Sequence, residues 1–210
     1  MYVDLLTLYL ITIGTLLASA GLTFWEHRTH PTRSRSLRLL AAGFATLAVG
    51  CTSVLFRADL PAVLGPALSN LVILSGYLLV LNSVASLSGR RYRVRAFALL
   101  AVMALIWLVA GAGGQDLVWK YVSAFPIALV SGLTAWELWR CDSLKAFKTR
   151  YIAVAVAGIH ALIYLGRAFI LPWWVAAHGP SAQLLASNIT MYEGVLYLSL
   201  IHISEPTRPE

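Results

Sequence analysis

Charge is what this chain has least of. Only 12% of its 210 residues are charged, and Asp and Glu together number 9. A soluble domain carries about 25% charged residues, so this chain lacks a polar coat for a surface facing water. Cysteine is almost absent too. Cys51 and Cys141 are too few for a disulfide framework. Cys51 falls inside an apolar run and Cys141 at the edge of a basic one, so they are not expected to pair. No HExxH motif, cysteine cluster or nucleophile–base set occurs. His27 and His30 flank a basic loop without metal-ligating companions. The chain is therefore not expected to be an enzyme in itself, nor to hold a metal or a cofactor.

What fills the space is apolar sequence. Hydrophobic residues make up 59% of the chain, and its mean hydropathy is +0.76. The runs are close to the ~20 residues that a helix needs to cross a bilayer. Between two of them lies Ser88-Gly89-Arg90-Arg91-Tyr92-Arg93-Val94-Arg95, whose arginines have no place in hydrocarbon. Short loops rich in Lys and Arg stay on the cytoplasmic side, so this loop sets the orientation of the rest. The net charge of +7 is concentrated in such loops. It reads as topology and attraction to anionic headgroups, with the lipid bilayer as the partner and no nucleic acid.

The reading is all-α: a polytopic bundle of seven transmembrane helices in a bacterial inner (cytoplasmic) membrane. The N-terminus is outside and the C-terminus cytoplasmic. Spans are expected near Val3–Phe24, Leu37–Phe56, Pro66–Leu87, Ala96–Ala112, Leu117–Trp139, Tyr151–Leu171 and onward from Gln183. Three inner connections, Glu26–Arg38, Ser88–Arg95 and Arg140–Arg150, hold twelve of the 16 basic residues. Outer segments hold Arg57 and Lys120. An outer turn is expected at Gly113-Gly114-Gln115-Asp116 and an outer loop over Pro172–Ala182. Tryptophans fall at both sets of boundaries, as an aromatic belt requires. Ala18-Ser19-Ala20 mimics a signal-cleavage site, but the charges after it mark a retained span. In the second span Ala41, Ala42, Gly43, Ala45, Ala48 and Gly50 leave room for a neighbouring helix.

Ionisable residues at membrane depth are expensive and face the bundle interior. His160, Tyr164 and Arg167 are spaced i, i+4 and i+7, on one helical face. Asn188, Tyr192 and Glu193 follow in the seventh span. At ~1.5 Å per residue, Arg167 lies about 6 Å and His160 about 16 Å below the outer edge, against about 8 Å for Asn188 and about 15 Å for Glu193. The levels pair His160 with Glu193 and Arg167 with Asn188. A carboxylate beside His160 favours its imidazolium. Two roles fit: a polar cleft that reads an anion, a small polar ligand or protons, and interhelical hydrogen bonds that only hold the helices in register. Asn70 and Asn82 are expected to bond across helices, with Asn70 kept beside His160, Tyr164, Arg167, Asn188 and Glu193 as a candidate to contact the signal. Glu137 is expected to reach the membrane boundary or pair with Arg140.

Leu198-Ser199-Leu200-Ile201-His202-Ile203-Ser204-Glu205-Pro206-Thr207-Arg208 resembles the translated end of a transposase-based sequencing-library adapter. Residues 198–210 are accordingly set aside as a non-native tail, which leaves 1–197 as the sensor domain. Within it, Trp25, Gly43-Phe44, Pro61, Asn70, Gly76-Tyr77, Ser88-Gly89-Arg90, Gly166-Arg167-Ala168 and Pro172 follow in an order that resembles a known family. It is the seven-helix N-terminal membrane region of bacterial diguanylate cyclases, truncated here before a cytoplasmic GGDEF domain. The resemblance implies a signal-sensing input that controls cyclic-di-GMP synthesis, with the output domain missing from this chain and a homodimer as one form of assembly. It assigns no catalytic residue. The input region of a histidine kinase and a small transporter-like bundle have the same topology.

Overall fold

The computed structural model of the chain describes residues 5–29, 34–61, 63–142 and 149–179. Every regular element among the described residues is helical. In order they are α1 (Leu5–Thr29), α2 (Ser34–Leu55), a 3-10 turn (Arg57–Asp59), α3 (Leu64–Leu87), α4 (Arg93–Leu117), a π turn (Val118–Val122), α5 (Ala124–Arg140) and α6 (Thr149–His178). Five stretches are long and apolar enough to cross a membrane, and the fourth, Arg93–Arg140, contains both α4 and α5. The expected seventh span, with Asn188, Tyr192 and Glu193, lies outside the described residues, as does the tail from residue 198.

α3 is the central element. It is apolar around its whole circumference, which is how a helix buried on several sides reads, and it packs against α2, α4 and α5. Its Leu74, Leu78 and Leu81 meet Met103 and Trp107 of α4, Val118, and Ile127 and Val130 of α5 in one core. The α2–α3 contact is the tightest. A Cβ on Gly50 would stand 2.6 Å from Ile73 Cγ1, and one on Gly76 would stand 2.6 Å from Leu47 Cγ. No side chain fits there, so the small residues of α2 do what their pattern implied: they let two backbones approach. At one end of this pair Ser36 and Ser83 each donate a hydroxyl to the other's carbonyl, at 3.0 and 2.8 Å.

α4 is the contrast. Only Met103 and Trp107 are buried along its length, and Leu108 and Val109 are each 79% exposed. Apolar side chains turned outward like these are stable where the solvent is itself hydrocarbon. The described helices thus have the make-up of a membrane protein.

The structure corrects several sequence expectations. The chain turns at Gly111 (φ 52°, ψ −154°), ahead of the expected turn at Gly113–Asp116. Only glycine takes that conformation without strain, and helix resumes at once on the far side. Pro172 lies inside α6, so the expected outer loop is helix as far as His178. A proline removes one helical hydrogen bond, a loss that membrane helices tolerate. The last turn is held by Trp174 and His178, whose rings stack at 4.1 Å. Several of the described basic residues sit on helix ends, Arg28 in the last turn of α1, Arg35 in the first turn of α2 and Arg140 closing α5, while Arg90 and Arg91 lie in the α3–α4 link.

The described parts of the three basic connections come to one end of the bundle. Ser36–Ser83 joins the start of α2 to the end of α3. Arg35 is in electrostatic contact with Arg91 and Arg93. Arg90 reaches Glu137 near the end of α5. We call this the basic pole.

Candidate functional site

Polar groups collect inside the bundle at two levels. The deeper cluster forms where α6 faces α3. His160 is 2% exposed, and its Nε2 shares a hydrogen bond of 2.7 Å with the Tyr77 hydroxyl. The ring centroids of Tyr77 and His160 are 5.3 Å apart, and those of His160 and Tyr164 are 4.8 Å apart. An imidazole thus lies between two phenols at about 15 Å from the basic pole, counted at ~1.5 Å per residue. Imidazole is the side chain whose charge changes near neutral pH, and a phenol partner can give or take a hydrogen bond as the ring requires. Chemically the cluster can exchange a proton or bond a small polar ligand.

Arg167 lies two turns beyond His160. Its Nε donates to the Lys120 carbonyl at 3.1 Å. The face read from sequence is therefore real: His160, Tyr164 and Arg167 all turn towards other helices. His160 and Tyr164 come together, while Arg167 belongs to the level above. Glu193 and Asn188, expected at the same depths, lie outside the described residues. The partners that the structure does supply are Tyr77 for His160 and a backbone carbonyl for Arg167.

Asn70 is 4% exposed, and its Oδ1 accepts from Trp107 Nε1 at 3.3 Å. It joins α3 to α4, as expected of a bond across helices. Asn82 has a more local role. Its Oδ1 accepts from the Tyr92 backbone N–H at 3.1 Å, which ties the α3–α4 link to α3.

A second centre was not read from the sequence. Glu137, 1% exposed, takes two hydrogen bonds on Oε1: from Arg90 Nη1 at 3.0 Å and from the Tyr92 hydroxyl at 2.7 Å. Its partner is Arg90, not Arg140 as expected. The carboxylate hydrogen bond raises the pKa of the Tyr92 phenol above its ordinary 10.0, because ionising the phenol would set two negative charges side by side. Two signals were present in the sequence. Ser131, Thr134 and Glu137 recur at three-residue steps on the buried side of α5, and Tyr92 sits inside an arginine loop. Tyr77 was quoted only as part of a motif; a tyrosine inside a span needs a partner for its hydroxyl. Neither cysteine is in a disulfide, and no group of three or more potential metal ligands occurs among the described residues.

Compared with protein-family models, with curated proteins and with solved structures, the chain matches none.

Proposed function

We propose that these helices are the membrane-embedded input region of a signalling protein. The signal, a small polar ligand or a proton, is read at His160 with Tyr77 and Tyr164. The observation that carries the reading is the 2.7 Å bond between a buried histidine and a tyrosine on another helix. Ionisable groups are rare at membrane depth and mark functional sites there. The described links between helices are short, too short to fold into a separate sensor, so recognition within the bundle is the reading they favour. The convergence of the basic connections on one pole supports its placement in the cytoplasm of a bacterial cell, with the N-terminus outside.

The order of motifs shared with membrane regions of diguanylate cyclases supports an output of that kind on the cytoplasmic side. A small movement of α6 relative to α3 would be the physical signal, since packed helices shift between discrete arrangements. Joining residues 1–197 to a GGDEF domain tests this. Cyclic-di-GMP should change with external pH or with ligand, and His160→Ala should abolish the change. A response identical in the variant ends the proposal.

A further inference from the structure

The pole opposite the basic one holds two arginines that pair with no carboxylate among the described residues. Arg57 follows α2, and its guanidinium carbon lies 4.9 Å from the centroid of the Trp119 ring. Arg167 on α6 is bonded through Nε to the carbonyl of the next residue, Lys120. Both are thus pinned to the π turn Val118–Val122. In that turn Ser123 N–H bonds back five residues to Val118 O at 2.9 Å, the wider π geometry in which Lys120 O also accepts from Arg167. Tyr9 on α1 is in electrostatic contact with Arg57, Arg167 and Tyr164. Three elements therefore bring Tyr9, Arg57 and Arg167 to the π turn, about 26–33 Å from the basic pole at ~1.5 Å per residue, with Tyr164 one turn nearer His160.

The charge there is unbalanced. Lys120 is already paired with Asp116 at 3.0 Å. Among the described residues the only other ion pair is Arg90–Glu137, at the far pole. Arg167 commits one N–H to a carbonyl, and the fork of its guanidinium remains. The guanidinium of Arg57 stands over an indole face, a contact that leaves its N–H groups without an acceptor among the described residues. A guanidinium never gives up its charge, and its fork matches a carboxylate or a phosphate in two parallel hydrogen bonds.

We propose that Arg57 and Arg167, with the Tyr9 hydroxyl, form a binding site for an oxyanion, a phosphate or a carboxylate. An anion there supplies the charged acceptor that neither guanidinium has among the described residues. As a binding site it stands alone; as the site of the signal it rests on the sensor reading above and names the ligand class. The same chemistry is offered by a free anion and by the headgroup of an acidic lipid.

The test uses the full chain in neutral maltoside micelles, with the thermal midpoint as readout. One arm titrates inorganic phosphate, a second titrates succinate, both at ionic strength held constant with chloride, and a third adds phosphatidylglycerol to the micelles. A bound anion raises the midpoint saturably. The expected result is such a rise in at least one arm, with the half-saturating concentration about tenfold higher in Arg57→Gln and in Arg167→Gln. Arg57 is exposed, so its variant keeps the fold even if Arg167→Gln does not. A rise with phosphate or succinate assigns a soluble anion; a rise with phosphatidylglycerol alone assigns the lipid. No rise in any arm, or a rise unchanged in Arg57→Gln, overturns the site. If phosphate binds while a fused cyclase ignores it, the sensor reading falls and the site stands. If the cyclase answers through His160 while no arm shifts the midpoint, the site falls and the sensor reading stands.

Discussion

Two arginine clusters, the Arg90 clasp at the basic pole and the Arg57–Arg167 pair at the other, hold their cations in opposite ways. At the basic pole Arg90 is closed by a carboxylate: Glu137 is buried, accepts two hydrogen bonds, and locks the α3–α4 link onto α5. At the other pole Arg57 and Arg167 are held by a ring face and a backbone carbonyl. Both arrangements place the cation firmly. Only the first pairs its cation with a carboxylate, through Glu137 Oε1. The difference separates a clasp between opposite charges from a surface whose cations are positioned without one.

Breaking the clasp should cost most. Glu137→Ala leaves Arg90 and the Tyr92 hydroxyl without their acceptor. The expected loss is about 2 kcal/mol, from the two hydrogen bonds to a charged acceptor, because the charge left on Arg90 is 41% exposed and solvated. Denaturant unfolding in micelles measures it, and a loss below about 1 kcal/mol would place the pair among ordinary surface bridges. Arg167→Gln should cost less, about 1 kcal/mol, because it removes one hydrogen bond to a carbonyl and no paired charge. If it costs as much as Glu137→Ala, the two poles are alike and the contrast fails.

The smallest effect is a pH dependence confined to the basic pole. The Tyr92 phenol titrates higher in the folded chain than its ordinary 10.0, so its contribution is complete below pH 10.0 and lost as pH rises through the folded value. The difference in thermal midpoint between the native chain and Tyr92→Phe should therefore be constant up to about pH 10 and shrink above it. A difference that stays level to pH 11.5 would remove Glu137 as the cause.

Much of the architecture was legible because its causes are local. Gly43, Gly50 and the alanines around them announced a close helix contact, and the structure presses α3 against that side of α2. His160, Tyr164 and Arg167 announced an inward face through spacing alone. What failed were breaks and partners. Gly111 and Gly113-Gly114 look equivalent as a string, and which glycine carries the turn depends on how α4 packs before it. Pro172 looked like an end and lies inside α6, which continues to the stacked Trp174 and His178. Arg140 is near Glu137 in sequence, yet Arg90, 47 residues away, makes the pair. The twelve basic residues assigned to one side were placed by counting, and the structure gathers their described members at one pole by contacts that counting never used.

By itself, then, the sequence determined that the chain forms apolar helices and on which connections its charges lie. Those follow from residue hydropathy and from the 3.6-residue repeat, which act within a single helix. Only the tertiary structure decided that His160 meets Tyr77, that Glu137 takes Arg90, and that Arg57 and Arg167 share the turn at Lys120. Such pairings depend on the packing order and rotation of helices. Those are set by the summed contacts of many side chains, and no short stretch of the chain encodes them.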